Sequence, residues 1–379
     1  MPPSHPWLTD ETLKEWREIL DLLDRPEDHL DFSPGLLDAV RRNRMEALVH
    51  QRFAACGLVI PAPAGEVLKG AFYARRYFYE RYRALALDLH ARLSAAGVPC
   101  LFIKGLVVAS WFYDPPWCRP FSDIDVVVPF EGVERGACIL ESLGFHALER
   151  RELSRREREY IHALEFVNRT DSSLGVELHH NLGVFSFRPN WYKEEPGKAR
   201  SPRDGLPTLD VESHLLFLCA HLYYRHYTQA HLIWLHDIHQ VLARHREDFN
   251  WTRFHQLALK TGWGRGTFHV LSALCIYDGW DFPQVCHDLE QAPSIQELTY
   301  LPTEKLAGFF AMGGHIPTWR GRLAFLLFHL CPPKVVMVQR YGIRHPSLWF
   351  LLYPYRWAHL MLQGIRWSIG RLFSGVRSK

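Results

Sequence analysis

Residues 103–128 read IKGLVVASWFYDPPWCRPFSDIDVVV, and the last seven decide how the rest of the chain is read. Asp123 and Asp125 are separated by Ile124 and followed by Val126, Val127 and Val128. Successive side chains on a strand point to opposite faces, so this spacing puts both carboxylates on one face and Ile124, Val126 and Val128 on the other. Two carboxylates held side by side repel unless a cation lies between them. The pair is therefore either a divalent-metal site or a costly accident.

Working outward, Pro99–Ile103 is a short apolar strand candidate, followed by Lys104-Gly105 and a helix over LVVASWFYD. Pro115, Pro116 and Pro120 force an irregular loop before the acidic strand. Downstream, a helix from about Phe130 ends at Gly144, FHALERRE is a further strand candidate, and the charged stretch 153–161 reads as helical. Strands resume at 164–168 and 174–182 around a turn at Asp171-Ser172-Ser173. Within Val176-Glu177-Leu178-His179 the apolar neighbours place Glu177 and His179 together on the polar face of a strand. Glu177 is the best third carboxylate for two hard cations about 3.5–4 Å apart, the arrangement used for in-line phosphoryl and nucleotidyl transfer.

The expected fold class is α+β: a small mixed-sheet domain (85–190) between an N-terminal helical region (1–84) and a helical C-terminal half. A linker (191–207), a helical domain (208–304) opened by an Asp210 cap, and a basic aromatic tail (305–379) complete the division. The run LLDAVRRNRMEALVHQRFAACG carries apolar positions at helical spacing up to Gly57, and 65–97 reads as one long helix stopped by Gly97-Val98-Pro99.

The Lys-Gly turn, the arginine four residues before the first Asp, the DID strand and the later isolated Glu together resemble the nucleotidyltransferase superfamily typified by DNA polymerase beta. More narrowly, Lys104-Gly105, Arg119, Asp123-Ile124-Asp125, Val176-Glu177-Leu178-His179 and Trp234-Leu235-His236-Asp237 look like a bacterial nucleotidyltransferase-like family. The classical superfamily turn uses Gly-Ser or Gly-Gly where this chain has Lys104-Gly105. The resemblance implies transfer of an NMP group from an NTP to a hydroxyl or phosphate acceptor, with release of pyrophosphate. It implies two Mg²⁺ (or Mn²⁺) ions on Asp123, Asp125 and Glu177 as catalytic and metal residues. Lys104, Gly105, Arg119 and Ser122 become nucleotide contacts, with Lys104 and Arg119 supplying charge to phosphate oxygens and Gly105 letting backbone N–H groups approach them. The acceptor, whether small molecule, sugar or protein, is open.

Six histidines (214, 221, 226, 231, 236, 239) lie within 26 residues, and His236-Asp237 is the dipeptide of HD-type metal phosphohydrolases. Such a site also needs an earlier His and a later Asp. The interval from His214 or His221 to His236 is short for that and Asp248 is a poor last ligand, which favours amphipathic helices, with His179, His221 and Asp237 as cleft candidates. A non-catalytic, membrane-associated binding or assembly module is the other alternative.

The formal charge of +3 hides an asymmetry: residues 305–379 carry eleven Lys/Arg and no acid, leaving 33 basic against 41 acidic side chains before them. An acidic body without a basic stripe argues against extended nucleic-acid binding. The aromatic, acid-free 319–379 segment suits peripheral contact with the inner face of an anionic membrane. Eight scattered cysteines without a CxxC pair, and an N-terminus without a basic-then-apolar leader, lead to the expectation of a cytoplasmic protein.

Overall fold

The computed structural model describes residues 8–148 except 31, 163–182 except 181, 198–277 except 227–229, 284–292, and scattered positions from 319 to 362. The expected helix at 153–161 lies outside the described residues. The chain divides into two compact units, one of residues 1–149 and 161–294, the other of 150–160 and 295–379.

The first unit opens with α1 (Asp10–Asp24), whose N-terminus is capped by the Thr9 hydroxyl accepting from the Thr12 N–H. The next helical run is split into α2 (Pro34–Arg42) and α3 (Glu46–Ala55). At the break, the Met45 N–H bonds the Val40 carbonyl and the Arg44 N–H bonds the Arg41 carbonyl, both at 3.0 Å. Arg44 adopts φ 59°, the left-handed conformation that closes a helix. The long helix α4 (Ala64–Ala95) buries Leu68, Tyr79, Tyr82, Ala86, Leu89 and Leu93 along one face and ends at Gly97, φ 67°.

A strand-turn-helix follows: β1 (Leu101–Ile103) and α5 (Gly105–Phe112), with Lys104 between them. Then come β2 (Asp123–Val127), α6 (Val133–Ser142), β3 (Phe145–Ala147), β4 (Ala163–Asn168) and β5 (Gly175–His179). They form one mixed sheet in the order β1-β2-β5-β4-β3, in which β2 and β5 run parallel and the other pairs antiparallel. The sheet's apolar residues Ile124, Val126, Val176 and Leu178 are fully buried, with α4 and α6 packed against it. Tyr82 on α4 fastens the start of both central strands: its single hydroxyl proton is shared between the Ser122 carbonyl and that of Ser173 (2.6 Å), and its oxygen accepts from the Gly175 N–H (3.3 Å).

Part of the stretch read as a linker is ordered structure. Residues 198–209 form a hairpin, β6 (Lys198–Arg200) with β7 (Pro207–Leu209), and β7 packs on β1. The buried Asp204 in its loop takes the Arg83 guanidinium at 2.5 Å and the Ser110 hydroxyl, a tertiary anchor that sequence pattern does not reveal. Helices α7 (Val211–His226), α8 (Leu232–Arg244), α9 (Trp251–Thr261) and α10 (Gly264–Ala273) complete the unit, with α8 packed on α5.

In the second unit the Trp357 indole donates to the Leu330 carbonyl at 2.8 Å, and Trp319, Leu327, Leu351 and Met361 are exposed. Among the described residues no helix is long and apolar enough to cross a membrane.

Candidate active site

The parallel pairing of β2 with β5 sets Asp125 directly opposite Glu177, and Asp123 opposite Gly175. On the antiparallel side of β2, Ile103 pairs with Asp125, so the chain leaves β1 beside that carboxylate. Lys104 is the next residue. Its φ of 54° turns the backbone sharply, and its ammonium reaches the Asp125 Oδ1 at 2.5 Å and the Glu177 Oε2 at 3.6 Å. The sequence expectation aimed Lys104 at phosphate oxygens; the ammonium lies on the acidic residues.

His179, two residues after Glu177 on the same strand face, adds a second donor. Its Nε2 lies 2.9 Å from the Asp125 Oδ1 and 3.0 Å from the Glu177 Oε2. Among the described residues, Asp125, Glu177 and His179 form the one group of three or more metal-binding side chains, with ligand atoms within 4.8 Å of one another. Sequence reasoning placed His179 in the cleft and not among the ligands. The polar-face alternation shared with Glu177 was the signal that could have included it.

The electrostatics follow from crowding. Burial, then the charges of Asp125 and Glu177, push the Asp123 carboxyl up to about 7, against the opposing pull of Lys104 and His179. The hydrogen bond from His179, aided by the Lys104 charge, holds Glu177 well below the usual carboxylate range. Burial and Lys104 work against a proton on His179, but its bonds to Asp125 and Glu177 outweigh them and raise its pKa. Burial likewise opposes the charge on Lys104, and Asp125 and Glu177 again outweigh it. Lys104 and His179 thus lie on Asp125 and Glu177, and Asp123 is the carboxyl of the three whose pKa is raised. A donor set of carboxylates with one imidazole fits Mn²⁺ or Mg²⁺, and the Lys104 ammonium sits where a cation is favoured.

These groups open into a cavity of about 560 Å³ walled by the central strands of the sheet, α5, α7 and α8. Asp123, Ser122 and Gly105 line it, as do His221 on α7 and Trp234 on α8. Gly105 is required for close approach, because a Cβ there would lie 2.7 Å from the Phe121 Cβ. A larger cavity of about 910 Å³, bordered by His90, Cys100 and Arg200, lies elsewhere and among the described residues gathers no comparable set of charged groups.

Arg119 and Asp237 line the cavity but are bound to each other. Arg119 Nη2 donates to Asp237 Oδ2 at 2.7 Å, Nε lies 3.2 Å from both oxygens, and Nη1 donates to the Pro120 carbonyl at 3.1 Å. The Tyr113 hydroxyl also donates to Asp237, at 2.7 Å. Both charged residues are buried, at 6% and 1% exposure. The pair ties the loop before β2 to α8. Arg119, expected to supply charge to phosphate oxygens, is engaged by Asp237 instead, a partnership too distant in sequence to be read from spacing.

The histidine alternative finds different surroundings. His236 Nδ1 is 3.2 Å from the Tyr277 hydroxyl and its Nε2 is 3.1 Å from the Gln240 amide, while Asp237 is occupied by Arg119. Burial lowers His236 to about 3, so it is neutral.

The family comparison gives the class of protein. Residues 33–275 match the family described as Uncharacterised nucleotidyltransferase, and the chain belongs to that family. No curated protein gives a significant match. Among solved structures, the chain is similar to an antigenic nucleotidyltransferase-like protein from Paracoccidioides brasiliensis, at 13% identity over 48% of this chain and 88% of that one, TM-score 0.32.

Proposed function

We propose that the protein is a metal-dependent nucleotidyltransferase that moves an NMP group from an NTP to an acceptor hydroxyl or phosphate. The acceptor oxygen bonds to the α-phosphorus, the bond from that phosphorus to the bridging oxygen breaks, and pyrophosphate leaves. The acceptor's proton passes to a carboxylate of the site or to water. The observation that carries this reading is the in-register Asp125–Glu177 pair, with Asp123 on the same strand face, opening into a cavity large enough for a nucleotide. Asp123, Asp125 and Glu177, with His179 beside them, would hold Mg²⁺ or Mn²⁺, which supplies charge to the triphosphate and acidity to the attacking group.

The chain's own residues divide the remaining work. Lys104 and His179 keep Asp125 and Glu177 together by hydrogen bonds, so the carboxylates are positioned before any ligand arrives. Gly105 lines the cavity at the start of α5, where its backbone N–H would meet phosphate oxygens, and its missing side chain makes room for Phe121. Arg119 acts at one remove, fixing α8 against the loop that leads into β2. Small molecules, sugars and protein side chains all present suitable acceptor groups. Incubating the protein with each α-labelled NTP and Mg²⁺ or Mn²⁺ tests the reading. Metal-dependent label on protein or on a co-purified molecule is expected, and its absence with all four nucleotides and candidate acceptors counts against it.

A further inference from the structure

Among the described residues, two non-glycine positions adopt positive φ, Lys104 and Arg44, and both are cations lining the active-site cavity. Lys104 is accounted for by its carboxylates. Arg44 is not. It follows the last turn of α2 at the position where the pair of closing hydrogen bonds demands a left-handed residue. The same pair of bonds closes three other helices, and there the residue is glycine: Gly57, Gly97 and Gly262, at φ 71°, 67° and 71°. Glycine adopts this conformation freely, whereas a β-carbon is disfavoured in it, so an arginine here works against helix-end stability. Unfavourable backbone conformations of this kind cluster at functional sites.

The surroundings hold the side chain toward the cavity. Asn43, buried beside it, accepts from the Leu232 N–H at 2.9 Å and from the Trp16 indole at 2.7 Å, which bolts the end of α2 to the start of α8. Two residues further along α8, the Trp234 ring lies under the Arg44 guanidinium, 5.6 Å from its centroid. His231 and His226 pack against the same ring, at 4.7 and 4.0 Å between centroids. Arg44 has no carboxylate or carbonyl partner among the described residues, and Arg119, the other arginine of the cavity, is spent on Asp237.

We propose that Arg44, held on the Trp234 ring, is a phosphate-binding residue of the cavity, contributed by the N-terminal helices and separate from the Lys104–carboxylate centre. A guanidinium fixed by an aromatic face and open on its N–H edges is suited to bidentate recognition of a phosphate group. That group belongs either to the polyphosphate of the nucleotide or to a phosphorylated acceptor. The choice of source rests on the nucleotidyl-transfer reading, while the anion site itself does not.

The test is calorimetric titration of inorganic phosphate and tripolyphosphate into the full chain in chelator, comparing wild type with Arg44→Gln and Arg44→Gly. Binding at least tenfold weaker in both variants is expected. Arg44→Gly should melt at or above the wild-type temperature, because glycine suits the backbone there, which separates loss of the site from loss of the fold. Titrations with Mg-ATP then identify the source. Weaker Mg-ATP binding in the variants assigns the phosphate to the nucleotide. Phosphate binding that persists under saturating Mg-ATP assigns it to the acceptor. No anion binding by wild type, or equal binding by wild type and both variants, overturns the inference, whether or not NMP transfer is observed. Loss of anion binding in the variants together with no NMP transfer leaves the site standing and removes the enzymatic reading.

Discussion

Asp125 and Glu177 face each other across the parallel pair of central strands, with the Lys104 ammonium 2.5 Å from the first carboxylate and 3.6 Å from the second. Parallel neighbours keep matched side chains on one face, so a register shift of one residue would turn Glu177 away. Asp125 is also the shared acceptor for Lys104 and His179. Asp125→Asn keeps the shape and removes the charge. It is expected to lower NMP transfer roughly 100-fold or more, with the circular dichroism spectrum unchanged. A variant with near wild-type turnover would remove Asp125 from the chemistry.

The Arg119–Asp237 pair gives a stability prediction. Removing one partner of a buried ion pair leaves the other charge without compensation, so Asp237→Ala should destabilise the fold by about 3–5 kcal/mol. The Arg119→Met, Asp237→Leu double variant removes both charges and should recover most of that loss. Urea unfolding checks both. A single variant within about 1 kcal/mol of wild type contradicts a structural role for the pair.

Two glycines separate close approach from helix propensity. Gly105→Ala forces a Cβ to 2.7 Å from the Phe121 Cβ, and should cost about 1–3 kcal/mol and impair transfer. Gly70 lies inside α4, where an added Cβ would meet nothing within 4 Å, and should gain about 0.5–1 kcal/mol on change to Ala. Thermal melts of the two variants shifting in the same direction would contradict the assignment.

His214 on α7 provides a pH prediction. It is fully buried, with neither ring nitrogen hydrogen-bonded among the described residues, and burial followed by Arg119 lowers it from 6.5 to about 4. The unfolded chain therefore takes up the proton first as pH falls. Stability is level above about pH 6.5 and declines toward pH 4, by about 3 kcal/mol from this residue. His214→Leu should flatten that decline without reducing stability at pH 7.5. An unchanged acid slope in the variant would show that His214 is not responsible.

The sequence made the acidic strand, the strand carrying Glu177, the Lys-Gly turn and the helical flanks readable, because each rests on local periodicity or on turn chemistry. What it hid were partnerships across the fold. Arg119 finds Asp237 through packing of α8 on α5, and Lys104 finds Asp125 because β1 pairs in register with β2. Arg44 was concealed differently: within a run of helical spacing, an arginine that ends a helix looks like one on a solvated face. The hairpin at 198–209 was masked by a composition rich in proline and charge, and is held by the buried Asp204.

The proposed chemistry is NMP transfer at the Asp123–Asp125–Glu177 face. Its most direct measurement compares α-labelled and γ-labelled NTP in parallel reactions with Mn²⁺ or Mg²⁺, with Asp125→Asn as control. Transfer of the α-label to an acceptor and release of the γ-label as pyrophosphate, both roughly 100-fold or more slower in the variant, is the predicted result. Release of the γ-label as free phosphate, or α-label transfer undiminished in Asp125→Asn, would contradict it.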